Sequence, residues 1–406
     1  MEFRKVEFLA QIDNSLARKD YQRGGRCIRF MAIKKEDVFF LSNDDGIPTY
    51  TIDLSYWDFK RNTKKHILRD LDDEEENFSW FYIKGVVGER INSGYFYKTF
   101  SRDEPEYFSL IECSSINSPI AVGNNINKSK GKSNNFTIKS EICLYDSEQY
   151  CEKRYQWDFY SFHVGQGMCS FLTDGKTGFL LDAGAGTPIR RGEYIKNNYN
   201  HIKNDLWKLI EHIDNVFVVI SHPDSDHWRL LAWDVRIAGK INNIYIPHDT
   251  KSITWIDSEI KKKVKSVSEN IYFRANNCVL YVFRSNPSKI TDNNDCLVCL
   301  YRQGNGKYIL QSGDYVYSEM QRDSNLCIKN LSNLDYNAVI VPHHGDAASS
   351  FSIFPASGDS ASAFFSAGDH LGYNHPTWDS LIGHMMKGYN LILDNMTKEI
   401  KAVKLN

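Results

Sequence analysis

The chain has 406 residues, 42% of them hydrophobic, and 25% charged residues that nearly cancel to a net charge of -2. That length supplies a core for two domains, and the near-neutral balance excludes a global electrostatic pull on nucleic acid or anionic membrane, so any such binding must come from a local patch. No apolar run reaches the roughly 18 residues of a spanning helix, the start MEFRKVEFLAQ lacks a hydrophobic signal core, and nine scattered cysteines suit a reducing compartment, so the chain reads as a soluble cytoplasmic protein with no membrane partner.

Residues 1–130 carry short aromatic and β-branched runs, CIRFMAI, DVFFLS, YTIDLSYWDF, SWFYIKGVVG and YFYKTF, separated by charged turns. This pattern predicts a mainly β N-terminal domain. The acidic run DLDDEEENF at 70–78 reads as a solvated loop. No catalytic constellation occurs in this half, and the sequence leaves its role open, with recognition of a partner or substrate as the expectation. A stretch rich in Gly, Ser, Asn and Lys at 118–141 signals the boundary, with the linker set at 131–150 and a second domain at 151–406.

In the second domain apolar runs recur and end in polar loops: YSFHVGQG, TGFLLDAG, NVFVVISHPDSDH, KYILQSGD, NAVIVPHHGD and SAFFSAGDHLGYNHP. Such runs read as strands buried on both faces. IKNDLWKLIEHID spaces Leu206, Leu209, Ile210 and Ile213 helically, and TWDSLIGHMMKG predicts a helix capped by Thr377. DGKTG and GNGK mark hairpin turns. Strand alternation sends Cys296 and Cys299 to opposite faces. These elements predict a layered α/β architecture with its site along one sheet edge.

The stretch HPDSDH places His222, Asp224, Asp226 and His227 within six positions at the end of a buried strand. In an extended chain His222, Asp224 and Asp226 share a face, and a following turn aims Asp226 and His227 at a neighbouring point. The spacing suits two metal ions, one held by His222 and Asp224 and the other by Asp226 and His227. The plain alternative, a polar loop capping the next helix, accounts less well for four ligand types followed by further candidates at later strand ends. His66, His201, His212, His248 and His384 are isolated and read as surface or satisfied core residues.

The motif HPDSDH resembles the signature of the metallo-β-lactamase superfamily. The ordered set FHVGQG, LLDAG, SHPDSDH, LQSGD, VPHHGD and YNHP is similar to the soluble hydrolase domain of the DNA-uptake protein ComEC and its free-standing relatives, over about residues 155–400. The resemblance implies a four-layer αββα sandwich behind the smaller β domain. It implies that Asp182 orients the metal loop, that His222, Asp224, Asp226 and His227 bind metal, and that Asp314 bridges both ions. It also implies that one of His343 and His344 binds metal or assists the leaving group, and that His375 completes the site. His163 is given a supporting place beside it. The chain departs from the family pattern at Met168, at Trp228 and Arg229 in WRLL, at Cys296 and at Asn374, where a glycine usually stands.

Three aspartates and four histidines make a hard ligand set, so the expected cofactors are two divalent ions, Zn²⁺ or Mn²⁺. The resemblance implies a metal-dependent phosphodiesterase, a nuclease in its leading form, with Asp226, His343 and His344 as catalytic residues. Cations in IRRGEYIK and EIKKKVKSV are candidates for contact with nucleic acid. Two alternatives stand beside it: a cyclic- or dinucleotide phosphodiesterase, and an effector of an antiviral or mobile-element system gated by a protein partner on the N-terminal domain.

Overall fold

The computed structural model describes residues 4–21, 25–40, 44–63, 80–88, 93–116, 142–143 and 157–405, apart from short stretches at 197, 201, 251, 276–277, 292, 305, 369–373 and 395–396. The acidic run, His66, His201 and most of the linker lie outside the described residues. Ile142 and Cys143, within the span assigned to the linker, form a short strand of a sheet in the second half.

Six antiparallel strands, β1 (Arg4–Arg18), β2 (Arg26–Lys34), β3 (Tyr50–Ser55), β4 (Trp80–Val87), β5 (Gly94–Lys98) and β6 (Glu106–Ile116), close into a barrel in the order β1-β2-β3-β5-β6-β4. Period-two alternation sends Ile28, Phe30 and Ala32 of β2 into the barrel, where Phe59 of α1 (Tyr56–Asn62) joins them. The alternate residues Met31 and Ile33 are buried too, because they face the second half of the chain. That double burial is why β2 reads as an almost unbroken apolar run.

The rest of the chain builds two mixed sheets. Besides β7 (Ile142–Cys143), their strands are β8 (Asp158–His163), β9 (Cys169–Thr173), β10 (Thr177–Ala183), β11 (Asn215–Val219), β12 (Ile241–Pro247), β13 (Val264–Val267), β14 (Ile271–Ala275), β15 (Cys278–Arg284), β16 (Leu297–Arg302), β17 (Tyr308–Gln311), β18 (Ala338–Ile340), β19 (Ser362–Phe365), β20 (Asn390–Leu393) and β21 (Lys401–Lys404). One sheet runs β13-β12-β11-β10-β9-β8-β21 and the other β20-β19-β18-β17-β16-β15-β14-β7. Both expected hairpins form, β9 with β10 and β16 with β17.

The sheets pack on each other through Leu172, Phe179, Leu181 and Val219 from the first against Leu280, Val282, Cys299 and Ile340 from the second. The outer face of the first sheet, with Leu180, Val216 and Val218, meets α3 (Asp205–Ile210), α4 (Arg229–Trp233) and α5 (Val235–Lys240), which follow the short α2 (Arg191–Tyr194). Cys296, Val298, Leu310 and Val339 on the second sheet's outer side pack with Tyr317 and Met320 of α6 (Tyr317–Met320), Ile328 of α7 (Leu326–Lys329) and Leu381 of α8 (Trp378–Met386). Cys296 and Cys299 thus face different cores, as alternation requires. The caps are local: Asn204 accepts from the Trp207 amide at 3.0 Å and Thr377 from the Ser380 amide at 3.3 Å.

The barrel shares a core with the helical face of the first sheet. Phe100 stacks on Trp228 with ring centroids 6.1 Å apart, and Trp228 also meets Trp255. Arg229 reaches Asp20 of the barrel at 2.7 Å, and Asp20 also pairs with Arg29 at 3.0 Å. Burial opposes the charge on Asp20, but Arg229 and Arg29 hold its carboxyl below the ordinary value. Arg191, fully buried, donates to the carbonyls of Ser101 and Asp103 and lies 4.0 Å over the Tyr97 ring. Asp257 accepts from the amide and hydroxyl of Thr49, both at 2.7 Å, and Lys262 pairs with Asp45. Trp228 and Arg229 of WRLL therefore serve the barrel contact. Arg191, a candidate for nucleic-acid contact by sequence, is buried there as well.

Candidate metal centre

Every motif loop emerges at the C-terminal end of a strand. Asp182 closes β10, HPDSDH follows β11, Asp314 follows β17, and the His343–His344 pair follows β18. β10 and β11 run parallel in one sheet, as β17 and β18 do in the other, so all four loops collect at one edge. Four of the eight non-glycine residues with positive φ among those described are Asp182 (55°), His343 (48°), His344 (53°) and Asn374 (52°). Backbone strain is concentrated at this edge, as it is at functional sites generally. Asn374 adopts the left-handed conformation, which asparagine tolerates better than most side chains.

The HPDSDH loop does not stay extended. Ser225–His227 forms a 3₁₀ turn, which swings His227 back until its ring lies 4.0 Å from that of His222. Potential ligand atoms therefore gather in two sets that differ from the sequence pairing: His222, His227 and Asp314, all buried, and Asp226, His227 and His344. Asp224 approaches His222 Nε2 at 3.4 Å and is 43% exposed. The loop's backbone is gripped by its neighbours. Met168 N donates to Asp226 O at 3.0 Å, and a Cβ on Gly184 would lie 1.5 Å from that oxygen. Only glycine fits there. The Met168 side chain itself is buried between the sheets.

Proton bookkeeping shows which ring atoms face the centre. Asp182, 1% exposed, accepts from the Ser221 amide at 2.7 Å, the Ser221 hydroxyl at 3.0 Å, His227 Nδ1 at 3.0 Å and Gln311 Nε2 at 3.2 Å. With its hydroxyl proton given to Asp182, Ser221 Oγ accepts from His222 Nδ1 at 3.0 Å. His344 Nδ1 lies 2.7 Å from the Ser366 carbonyl, which can only accept. All three rings thus carry their proton on Nδ1 and present an Nε2 lone pair inward, the arrangement that outer-shell partners impose on metal-binding imidazoles.

Those inward atoms lack hydrogen-bond partners. His222 Nε2, His227 Nε2, His344 Nε2 and Asp314 Oδ1 are all buried without one. Yet they crowd together: His227 Nε2 is 3.2 Å from Asp314 Oδ1, and His344 Nε2 is 3.2 Å from Asp226 Oδ2. Lone pairs at that distance repel unless a proton or cation lies between them. Ligands about 2.0–2.1 Å from one ion stand roughly 2.8–3.0 Å from their nearest neighbours in octahedral sets and roughly 3.3–3.4 Å apart in tetrahedral sets. The donor set and its spacing fit a divalent cation.

The electrostatics agree. Burial opposes charge on Asp226 and Asp314, but the surrounding histidines hold both carboxyls well below the ordinary range. Burial likewise opposes protonation of His227 and His344, and the carboxylates override it, Asp314 foremost, raising both. A field that retains protons on these rings also favours a metal cation in their place.

The two adjacent histidines have separate surroundings. His344 is 2% exposed and belongs to the Asp226 set. His343 is 30% exposed, its Nδ1 lies 3.1 Å from Asp346 and its Nε2 lies 3.7 Å from Asp314. Burial disfavours its charge, but Asp314 and Asp346 push its pKa up to about 9. His375 sits beside His343, rings 5.8 Å apart, and is pushed down to about 4 by burial and by the charges on His344 and His343. His163 lies against Phe364 and 4.0 Å from Asp394, outside both ligand sets. Ser221, Gln311 and Ser366 were not singled out in the sequence. Ser221 precedes His222 directly, but nothing local marks the other two.

Of the remaining histidines, His384 is a satisfied core residue, while His212 and His248 are substantially exposed.

No family model matches the chain, and no curated protein does. Among solved structures it is similar to CmlA, a diiron β-hydroxylase from Streptomyces venezuelae, at 12% identity over 82% of this chain and 70% of that one, TM-score 0.39. It is also similar to the metallo-β-lactamase fold protein YhfI from Bacillus subtilis, at 12% identity over 61% of this chain and 100% of that one, TM-score 0.37. Unliganded yeast PDE1 aligns at 10% identity over 59% of this chain and 98% of that one, TM-score 0.36. These likenesses are remote, and the geometry of the site stands on its own. Among the described residues no helix is long and apolar enough to cross a membrane.

Proposed function

We propose that the chain is a metal-dependent phosphodiester hydrolase of the metallo-β-lactamase type, with two divalent ions, zinc or manganese, as cofactors. The observation that carries this reading is the convergence of three buried Nε2 atoms with Asp314 Oδ1, all without hydrogen-bond partners, and with the half-buried Asp226 carboxylate 3.2 Å from one of them. His222, His227 and Asp314 would hold one ion. Asp226 and His344 would hold the other, with Asp314 between the two and Asp224 and His375 at the margins. When bound, the ions supply the polarisation that activates water and offsets charge building on the phosphoryl oxygens.

The protein's own groups do the rest. Asp182 and Ser221 fix the tautomers of His227 and His222, and the Ser366 carbonyl fixes that of His344. His343, charged and backed by Asp346, is placed to protonate the leaving oxygen. The substrate is a nucleotide phosphodiester, either nucleic acid or a small one. The small-substrate form gains support from Arg191, which is fully buried at the barrel contact instead of lying on a strand-binding track.

The test is hydrolysis of bis(p-nitrophenyl) phosphate and of fluorescent DNA and RNA by metal-stripped protein resupplied with Mn²⁺, Zn²⁺ or Mg²⁺. Bound metal is counted by mass spectrometry, with Asp226→Ala run alongside. Metal-restored turnover that Asp226→Ala lacks is expected. Turnover undiminished in that variant overturns the reading.

A further inference from the structure

Between the barrel and the sheets lies a small solvent-open cleft, and Asp226 forms part of its wall. We infer that this cleft is a second-phosphate subsite, taking the phosphate next to the scissile one in a short nucleotide substrate, with the barrel's Arg18 and the hydrolase's Arg190 as its recognition groups. The inference rests on the phosphodiesterase reading for its reaction, but the cleft's chemistry argues for an anion by itself.

Four arginines line the cleft, Arg18, Arg29, Arg190 and Arg229, against only two carboxylates, Asp20 and Asp226. Asp20 lies between Arg29 and Arg229, and Asp53 holds Arg29 through Nε at 2.7 Å and a second nitrogen at 2.8 Å, so this floor is rigid and internally compensated. Arg18 and Arg190 line the cleft from opposite sides of the junction. Guanidinium groups present planar forks that match phosphate oxygens.

A second observation points to a ligand with hydroxyl or amino donors. Gln166 lines the cleft, is 7% exposed, and its Oε1 is buried without a hydrogen-bond partner. An orphaned buried acceptor is costly unless a ligand or water satisfies it. Arginines beside a donor-seeking amide match a sugar-phosphate better than a bare anion. Asp226 belongs both to this cleft and to a ligand set, so a substrate lying across it would have one phosphate at the metals and the next between Arg18 and Arg190. The N-terminal barrel then forms half of the substrate site.

The test begins without metal, so that it does not depend on turnover. Metal-stripped full-length protein is titrated calorimetrically with the 5′-phosphorylated dinucleotide pTpT and, separately, with a cyclic dinucleotide; the tighter of the two identifies the source of the second phosphate. Arg18→Ala and Arg190→Ala are each expected to weaken binding about tenfold or more, the scale of a lost charge-assisted contact, with Arg18→Lys weakened less. Unchanged thermal midpoints show that the variants remain folded. With metal restored, both alanine variants should lose about tenfold in kcat/KM on the dinucleotide while staying within about twofold on bis(p-nitrophenyl) phosphate, which has one phosphate. Absent dinucleotide binding, binding unchanged in the arginine variants, or an equal loss on both substrates overturns the subsite. Arginine-dependent binding without hydrolysis of any phosphodiester under any ion would leave the subsite standing and overturn the proposed reaction.

Discussion

Replacing Asp182 with asparagine tests whether the centre depends on its supporting shell. The carboxylate accepts on Oδ1 from the Ser221 amide at 2.7 Å, and on Oδ2 from Ser221 Oγ, His227 Nδ1 and Gln311 Nε2 at 3.0–3.2 Å. Asparagine keeps the shape but turns one oxygen into a donor. If its NH₂ takes the Oδ1 place it meets the Ser221 N–H; in the Oδ2 place it meets His227 Nδ1–H and the Gln311 amide. Either orientation buries at least one clash between donors, costing about 1–3 kcal/mol. His227 can relieve the second clash only by moving its proton to Nε2, the atom that faces Asp314. We therefore expect Asp182→Asn to fold and to bind metal about 10–100-fold more weakly, the usual effect of losing such a partner. Competition with a fluorescent chelator measures this directly. Thermal unfolding at saturating metal should lose about 1.4–2.7 kcal/mol of metal-dependent stabilisation. Metal affinity within about threefold of the parent would refute the assignment of Asp182 as the group that orients His227.

His343→Ala should slow hydrolysis of substrates with alkoxide leaving groups by about 10²–10⁴-fold and barely affect p-nitrophenyl esters, whose leaving group needs no proton; equal losses on both would remove its role as acid. Trp228→Ala, which empties the stack on Phe100 and Trp255, should cost about 3–5 kcal/mol and release the barrel as a separate, earlier step in thermal unfolding and limited proteolysis. His384 donates from Nδ1 to the Ser380 carbonyl at 2.7 Å, meets the Tyr317 hydroxyl through Nε2 at 3.1 Å, and is held down to about 4 by burial. The unfolded chain takes up this proton near its ordinary pKa and the folded chain refuses it until about 4, so stability falls as pH drops through that window. Between pH 7 and pH 5 the loss from this residue is roughly 2 kcal/mol, and the acid sensitivity of the thermal midpoint should shrink in His384→Gln.

What short-range physics encodes was legible in the residues alone. Most apolar runs specified strands, although DVFF of DVFFLS lies in the 3₁₀ helix Lys35–Phe40 and YWDF opens α1; polar loops at strand ends carried the ligand types, hairpin turns formed where glycine allows them, and Thr377 caps its helix. These features need only a few adjacent residues and the periods of helix and strand. The remaining features arose from long-range packing. The 3₁₀ turn at Ser225–His227 replaced extended alternation and regrouped the ligands, because the loop packs against Met168 and Gly184 instead of continuing its strand. His343 and His344, adjacent in sequence, were separated by contacts with Asp346 and the Ser366 carbonyl. Trp228, Arg229 and Arg191 became docking residues through partners such as Asp20, 209 positions from Arg229. Ser366 likewise reaches Gly167 across 199 positions. Such pairings leave no local periodicity, since only the packing of distant segments brings their atoms within bonding distance.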